Sequence, residues 1–201
     1  MDDIVKQAMV KWPNVPHCYG WLALDARGNW RMRDERAQTL KLPGDKITNP
    51  ALVNFINRNY THDDHGRWYF QNGPQRVYVN LEATPYIART DPARAFILHT
   101  GGALTTIDSV WMTEAGQLVF QWGEFVALLD DRDMAQCLEK LRVGGQQAND
   151  EQLLDWLNQP ASASALTLDY AGAVLPVQHI AFDAIASQFG FVPTPQQPDT
   201  A

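Results

Sequence analysis

The amino-acid sequence predicts an α+β protein, mostly antiparallel sheets in two small modules, and three observations carry that prediction. Short segments rich in Trp, Tyr, Phe, Val and Ile alternate with Gly, Asn and Asp along the 201 residues, the composition of strands and of the turns between them. Helical spacing of apolar residues is confined to a few short stretches. One pattern also returns. Gly66-x-x-x-Phe70-Gln71-x-Gly73 is echoed fifty positions on by Gly116-x-x-x-Phe120-Gln121-x-Gly123, each with an acid two places ahead of its first Gly, Asp64 and Glu114. Gly28-Asn29-Trp30 is a weaker third copy. Such an echo reads as a duplicated hairpin unit and divides the chain near residue 90.

Taken in order, residues 2–12 bring acids first, then Ile4, Val5, Ala8, Met9 and Trp12 at helical spacing. That is a short amphipathic helix, stopped by Pro13 and Pro16. Residues 19–24 and 29–33 form a hairpin around Asp25-Ala26-Arg27-Gly28, with Trp21 and Trp30 as anchors. After a polar connection ending in Pro43-Gly44-Asp45, Thr48-Asn49-Pro50 is the strongest helix start in the chain. Asn49 can cap free amides, and Pro50 sits at the first helical position, where its missing N–H costs nothing. Leu52, Phe55 and Ile56 then share one face of a helix running to about Tyr60.

The stretch from Gly66 to Ala88 is a hairpin with a long second strand. Trp68, Tyr69 and Phe70 are strand formers, Asn72-Gly73 supplies positive φ angles for a tight turn, and Pro74 fixes φ as the next strand starts. Then the chain alternates: Val77, Val79 and Leu81 point to a core, while Arg76, Tyr78, Asn80 and Glu82 point away. Beyond Ala88 come strands at 95–99, 104–109, 110–112, 118–122 and 125–129, with Gly at the turns. Asp130-Asp131 opens a helix with a stripe of Met134, Cys137, Leu138 and Leu141, and residues 144–149 are the best linker candidate. A short helix carries Leu153, Leu154 and Leu157, a strand spans 166–170, and a helix starts near Pro176 with Ile180, Ile185 and Phe189 on it. The division expected is therefore 1–90, an α+β module; 91–145, a β-rich module ending in a helix; 146–191, an extension; and 192–201, a Pro- and Gln-rich tail with the composition of disorder.

Composition narrows the function. Acids outnumber bases 23 to 16, the net charge is -7 and the pI about 5.1. Phosphate backbones and anionic membranes need clustered Lys and Arg, so non-specific nucleic-acid and membrane binding are not expected. A basic pocket for one small phosphate stays open. Cys18 and Cys137 are far apart and unaccompanied, which reads as two reduced thiols, with one disulfide as the alternative. The first residues lack a secretory pattern and no apolar run nears the roughly 20 residues that span a bilayer. The expected location is the cytoplasm.

Residues with obvious chemistry do not assemble into a motif. His62-Asp63-Asp64-His65 resembles a metal cluster, but neither cysteine is spaced to complete it, and an acidic turn is the simpler reading. His17, His99 and His179 are isolated; Ser109, Ser162, Ser164 and Ser187 lack an identifiable base; Thr100-Gly101-Gly102 has neither the Lys nor the spacing of a phosphate loop. No catalytic residue, metal or cofactor is predicted. What remains is the outward face of the central strand, Arg76, Tyr78, Asn80 and Glu82, with Gln71 and Gln75 near its turn. A fork donor, a ring, an amide and a carboxylate on one face can read a polar ring-bearing ligand. A solvated sheet face would show the same alternation.

At these residues the chain resembles a family of uncharacterised bacterial proteins, a domain of unknown function. The matching parts are a hairpin with Gly-x-Trp, the helix at Ala51-Leu52-Val53-Asn54-Phe55, Gly66-Arg67-Trp68-Tyr69-Phe70, and the strand from Arg76 ending in Pro85-Tyr86-Ile87-Ala88, over residues 18–142. The resemblance implies duplicated α+β modules, the second pleckstrin-homology-like, with a nucleotide-type ligand held between them and a signalling role. Arg76, Glu82 and Pro85 agree with the family pattern; Asn80 and Ala83 stand where acids are expected, and nothing from Gly144 onward has a counterpart. The expected function is a non-catalytic binding or regulatory module, with Arg76 on an anionic group of a small nucleotide-like ligand and Tyr78 stacking on it. One alternative is a hydrolase or transferase using Glu82 and Asp108, or His62 and His65 on a metal. Another is an interaction scaffold whose partner adds a strand to a sheet edge.

Overall fold

The computed structural model describes residues 1–158 and 165–197, and the chain divides into two compact units. Met1–Pro85 joins the segment from Gly190 onward as the first, and Tyr86–Phe189 is inserted between them as the second. Each unit is built on its own sheet, flanked by a few short helices, so the α+β class holds.

The first unit runs α1 (Asp3–Lys11), β1 (Cys18–Leu24), β2 (Trp30–Met32), α2 (Glu35–Thr39), β3 (Asp45–Lys46), α3 (Pro50–Arg58), β4 (Tyr60–His62), β5 (Trp68–Asn72) and β6 (Gln75–Leu81). The sheet order is β3-β2-β1-β6-β5-β4, antiparallel except where β1 meets β6. Capping chemistry sets α3: the Asn49 side chain accepts from the amides of Ala51 and Leu52 at 2.9 and 3.2 Å, with Pro50 at the first position. Residues 18 to 22 of β1 cover only 77 to 79 of β6. That bulge re-aims a side chain, and the one it brings over β6 is Tyr19. Three elements of this unit were not read from the sequence: α2, the two-residue β3 and β4. α2 is capped by Asp34, which accepts from the Ala37 amide at 2.7 Å, and β4 takes up residues expected at the end of a helix and in a turn. The second strand of the hairpin, expected to reach Ala88, ends at Leu81. Pro85 lacks a donor and restricts Thr84, so the ladder is interrupted there, and the next strand belongs to the second unit.

The second unit runs β7 (Tyr86–Asp91), β8 (Ala95–Leu98), β9 (Ser109–Met112), β10 (Leu118–Trp122), β11 (Phe125–Leu129), α4 (Met134–Leu138), β12 (Leu141–Val143), β13 (Gln146–Gln147), α5 (Asp150–Asn158), β14 (Leu166–Tyr170), β15 (Ala173–His179) and α6 (Ile185–Gln188). Its nine strands are ordered β13-β12-β14-β15-β9-β10-β11-β7-β8. The core is continuous from Phe96 and Phe120 through Leu141 to Leu168 and Trp156. Residues 146–189 are therefore not an appended extension: β14 and β15 lie in the middle of the sheet. The helix expected from Pro176 starts later: residues up to His179 are β15, and the helical turns carrying Ile185 follow from Phe182. Ala171 and Gly172, at φ +49° and +83°, turn the chain so that Tyr170 pairs with Ala173, and a primed turn of this kind commits the next residues to a strand. Residues 144–149, expected as a linker, form the tight turn between β12 and β13 and the approach to α5. Of the strand expected at 104–109 only Ser109 is in a strand; Leu104 and Ile107 are buried in the core.

The echoed motif is a structural repeat. In each unit a hairpin (β1–β2, β7–β8) joins through a parallel pair (β1·β6, β7·β11) to a three-stranded meander (β4–β5–β6, β9–β10–β11). The two glutamines make the same bond: Gln71 Nε2 donates to Gly73 O at 2.9 Å, and Gln121 Nε2 donates to Gly123 O at 3.1 Å. Gly73 and Gly123 have φ of +56° and +54°.

The tail is docked as far as it is described. The Val192 amide donates to Gly66 O at 2.9 Å and Pro193 O accepts from the Leu81 amide at 2.8 Å, while Phe191 is buried. Gly66 is required for this: its φ is +70°, and a Cβ there would lie 2.0 Å from Gly190 O. The disorder expected for 192–201 does not apply to 192–197, because backbone pairing holds a segment whose composition alone would not order it. Residues 198–201, with Ser162 and Ser164, lie outside the described residues.

Candidate functional site

The outward face of β6 has two halves with different fates. Around Tyr78 it is closed. The ring is 1% exposed, stacks on Tyr19 with centroids 4.6 Å apart and planes 11° apart, and meets the edge of His17 at 5.7 Å. The Arg67 guanidinium sits 5.1 Å from its centroid, and the hydroxyl donates to Asp63 Oδ2 at 3.0 Å. No face of Tyr78 is left for a ligand ring. Arg76 lies over Tyr69, 4.6 Å from the ring centroid. Gln75 Nε2 donates to Pro16 O at 3.0 Å, and Gln71, 1% exposed, is committed to its turn. Gln71 Oε1 is buried without a donor, but Gln71 lines neither the hollow over Ala23 nor the one beneath α3. The strand is thus buried on both faces here, because the β1 bulge roofs a side that alternation left open.

Around Asn80 and Glu82 the same face is hollow. Strand register sets Arg31 of β2, Ala23 of β1 and Asn80 of β6 in one row. Ala23 is the small member, and above it lies an open hollow of about 340 Å³ lined by Asp25, Arg31, Arg33, Lys41, Asn80 and Glu82, with Leu42 and Pro43 also on its wall. Asn80 Oδ1 is buried and accepts no hydrogen bond among the described residues. A buried acceptor without a donor costs about 1–3 kcal/mol.

The charged walls differ in how far they are neutralised. Arg31 pairs with Asp25, Nε 2.9 Å and Nη2 2.8 Å from Oδ2, and also donates to Gly44 O at 3.3 Å. Burial alone would raise the Asp25 pKa. The donors around it, chiefly the Asn29 amides and Arg31, outweigh burial and hold the pKa below the ordinary carboxylate value. Asp63 behaves alike: burial raises its pKa, and hydrogen bonds from Arg67, Tyr78 and the His65 amide more than reverse this. Arg33, by contrast, bonds carbonyls, Leu42 O at 3.2 Å and Ala37 O at 3.5 Å. Glu82 Oε2 accepts from the Ala26 amide at 3.1 Å. Lys41 is exposed and sits at φ +53° just past α2, where the Leu42 amide reaches back to Ala37 O at 2.8 Å. That is the helix-ending position normally held by Gly, and a side chain there costs about 1 kcal/mol. Of this wall the sequence reading found Asn80 and Glu82. Arg31 on β2 and Arg33 just past its end show the same period-two spacing; nothing in the sequence marks Lys41, which a helix end carries to the cavity.

A second hollow of about 290 Å³ lies on the other face beneath α3, with walls such as Trp21, Met32, Leu52 and Phe55. It is apolar and lacks converging polar groups. The other candidates are occupied structurally. Asp108 Oδ2 accepts from the Gly123 amide at 2.6 Å, so both Asp108 and Glu82 hold turns of their own units. Asp63 anchors its loop to Arg67 and Tyr78, and among the described residues no three His, Cys, Asp or Glu converge as metal ligands. Burial pushes the Cys137 thiol up to about 12, and Cys18 is also a free thiol. Among the described residues no helix is long and apolar enough to cross a membrane.

Comparison with solved structures finds a DUF1285 family protein from Silicibacter pomeroyi DSS-3, with a TM-score of 0.51, 13% identity, and coverage of 82% of this chain and 84% of that one. At that identity the likeness is one of fold. No curated protein matches. The family model DUF2944, described as "Protein of unknown function (DUF2946)", matches residues 1–196, and the chain belongs to that family.

Proposed function

We propose that this protein is a non-catalytic, cytoplasmic binding module that holds a small polar ligand in the cavity over Ala23, and that occupancy serves a regulatory role. One observation carries the reading: a hollow of about 340 Å³ over Ala23 brings Asp25, Arg31, Arg33, Lys41, Asn80 and Glu82 together within an otherwise apolar wall. Pockets of this size suit a small metabolite, and a few convergent polar groups in an apolar frame are what fixes one. Of the residues expected to bind, Asn80 and Glu82 remain in this proposal. Arg76, Tyr78, Gln71 and Gln75 support the sheet beside it.

A thermal-shift screen of small polar metabolites, nucleotides included, tests this. A ligand present at 100 times its Kd stabilises by about 2.7 kcal/mol, so a true ligand raises the Tm by several degrees. Asn80→Val removes the effect. If no compound shifts the parent, or if Asn80→Val responds as the parent does, the cavity is not the site.

A further inference from the structure

The cavity has a direction, and the direction selects a ligand. The row of Arg31, Ala23 and Asn80 is its middle. Toward the C-terminal end of β1 stand Asp25 and Glu82, the latter next to the strand end, since the Glu82 amide donates to Leu24 O at 3.0 Å. Toward the N-terminal end stands Arg33, whose amide donates to Trp21 O at 2.9 Å. One end therefore offers an acceptor, the Glu82 carboxylate. The other offers cations: Arg33, which bonds only carbonyls among the described residues, and Lys41.

Three cations face two carboxylates across this space, so the walls come close to neutrality. A dianionic phosphate would find too little net charge to hold it. None of the cavity's walls is aromatic, whereas base recognition ordinarily uses aromatic stacking.

We propose that the ligand is a small zwitterion, a primary ammonium joined through a short apolar segment to a carboxylate, as in a free amino acid or dipeptide. The ammonium donates to Glu82; the carboxylate lies against Arg33 and Lys41; the apolar segment covers Ala23 alongside Leu42 and Pro43. This rests on the cavity being a ligand site.

Calorimetric titration of the full chain tests it. The probes are free amino acids and dipeptides, the matching amines and carboxylic acids that lack one charge, and nucleoside monophosphates. The expected result is saturable binding of a zwitterion, with at least tenfold weaker binding of both half-molecules. Lys41→Gln weakens the zwitterion at least tenfold and leaves the amine unchanged, while Glu82→Gln weakens the zwitterion and leaves the acid unchanged; both residues are exposed, so folding is expected to persist. Binding of a nucleotide or a simple acid in preference to every zwitterion overturns this inference while sparing the cavity as a site. No binding by any probe overturns both.

Discussion

The phenol rings of Tyr19 and Tyr78 lie flat against each other, 4.6 Å apart. A residue read from the alternation as ligand-facing is thereby a structural one. Tyr78→Ala removes a fully buried aromatic side chain and destabilises the first unit by about 3–4 kcal/mol in denaturant unfolding. Tyr78→Phe loses only the bond to Asp63 and costs about 1.5 kcal/mol.

Asn80→Val has the opposite sign. It deletes an acceptor that meets no donor and places a β-branched residue on an interior strand. The variant gains about 1 kcal/mol of stability and loses ligand response. A loss of stability instead would mean that Asn80 is already satisfied.

Lys41→Gly relieves a left-handed backbone at φ +53°. Relief of strain exceeds the added chain entropy, and the Tm rises by an amount equivalent to about 0.5 kcal/mol. Lys41→Ala keeps the strain and shows no such gain, which separates backbone from charge.

Acid unfolding follows Asp25 and Asp63. Both pKa values lie below the ordinary 3.8. A depressed carboxyl pKa stabilises the fold fully above the unfolded value and loses that contribution as the pH falls through the folded one. Stability of the first unit thus declines below about pH 4. Asp25→Asn and Asp63→Asn are less stable at neutral pH and show a shallower decline in pH-dependent unfolding.

Gly66 and Phe191 test the docked tail. Gly66→Ala forces a Cβ into Gly190 O, and Phe191→Ala empties a buried site, each lowering first-unit stability by about 3 kcal/mol. Amide exchange at Leu81, slow in the parent through its bond to Pro193 O, becomes fast in both variants.

Local chemistry made most of the framework legible. Asn49-Pro50 announces α3, and the echoed Phe-Gln-x-Gly motif marks two turns that make the same glutamine bond. Alternation located β6 correctly and then misled about Tyr78, because its burial depends on a bulge in a strand some sixty residues earlier. Pro176 read as a helix start since the turn at Ala171-Gly172 lacks the usual Asn or Asp signal. Lys41 carries no mark at all, because its role comes from where α2 ends. Of the polar wall, Asn80 and Glu82 were read from the alternation, while Asp25, Arg31, Arg33 and Lys41 join them only once the chain has closed on itself.

The inserted arrangement has a consequence for biosynthesis. A ribosome delivers Tyr86–Phe189 as an uninterrupted block, whereas the sheet that begins with Cys18 is missing its last backbone partner until Pro193 emerges. The unit started first is therefore the unit finished last, and chains released early carry a completed second sheet beside an unsealed first one.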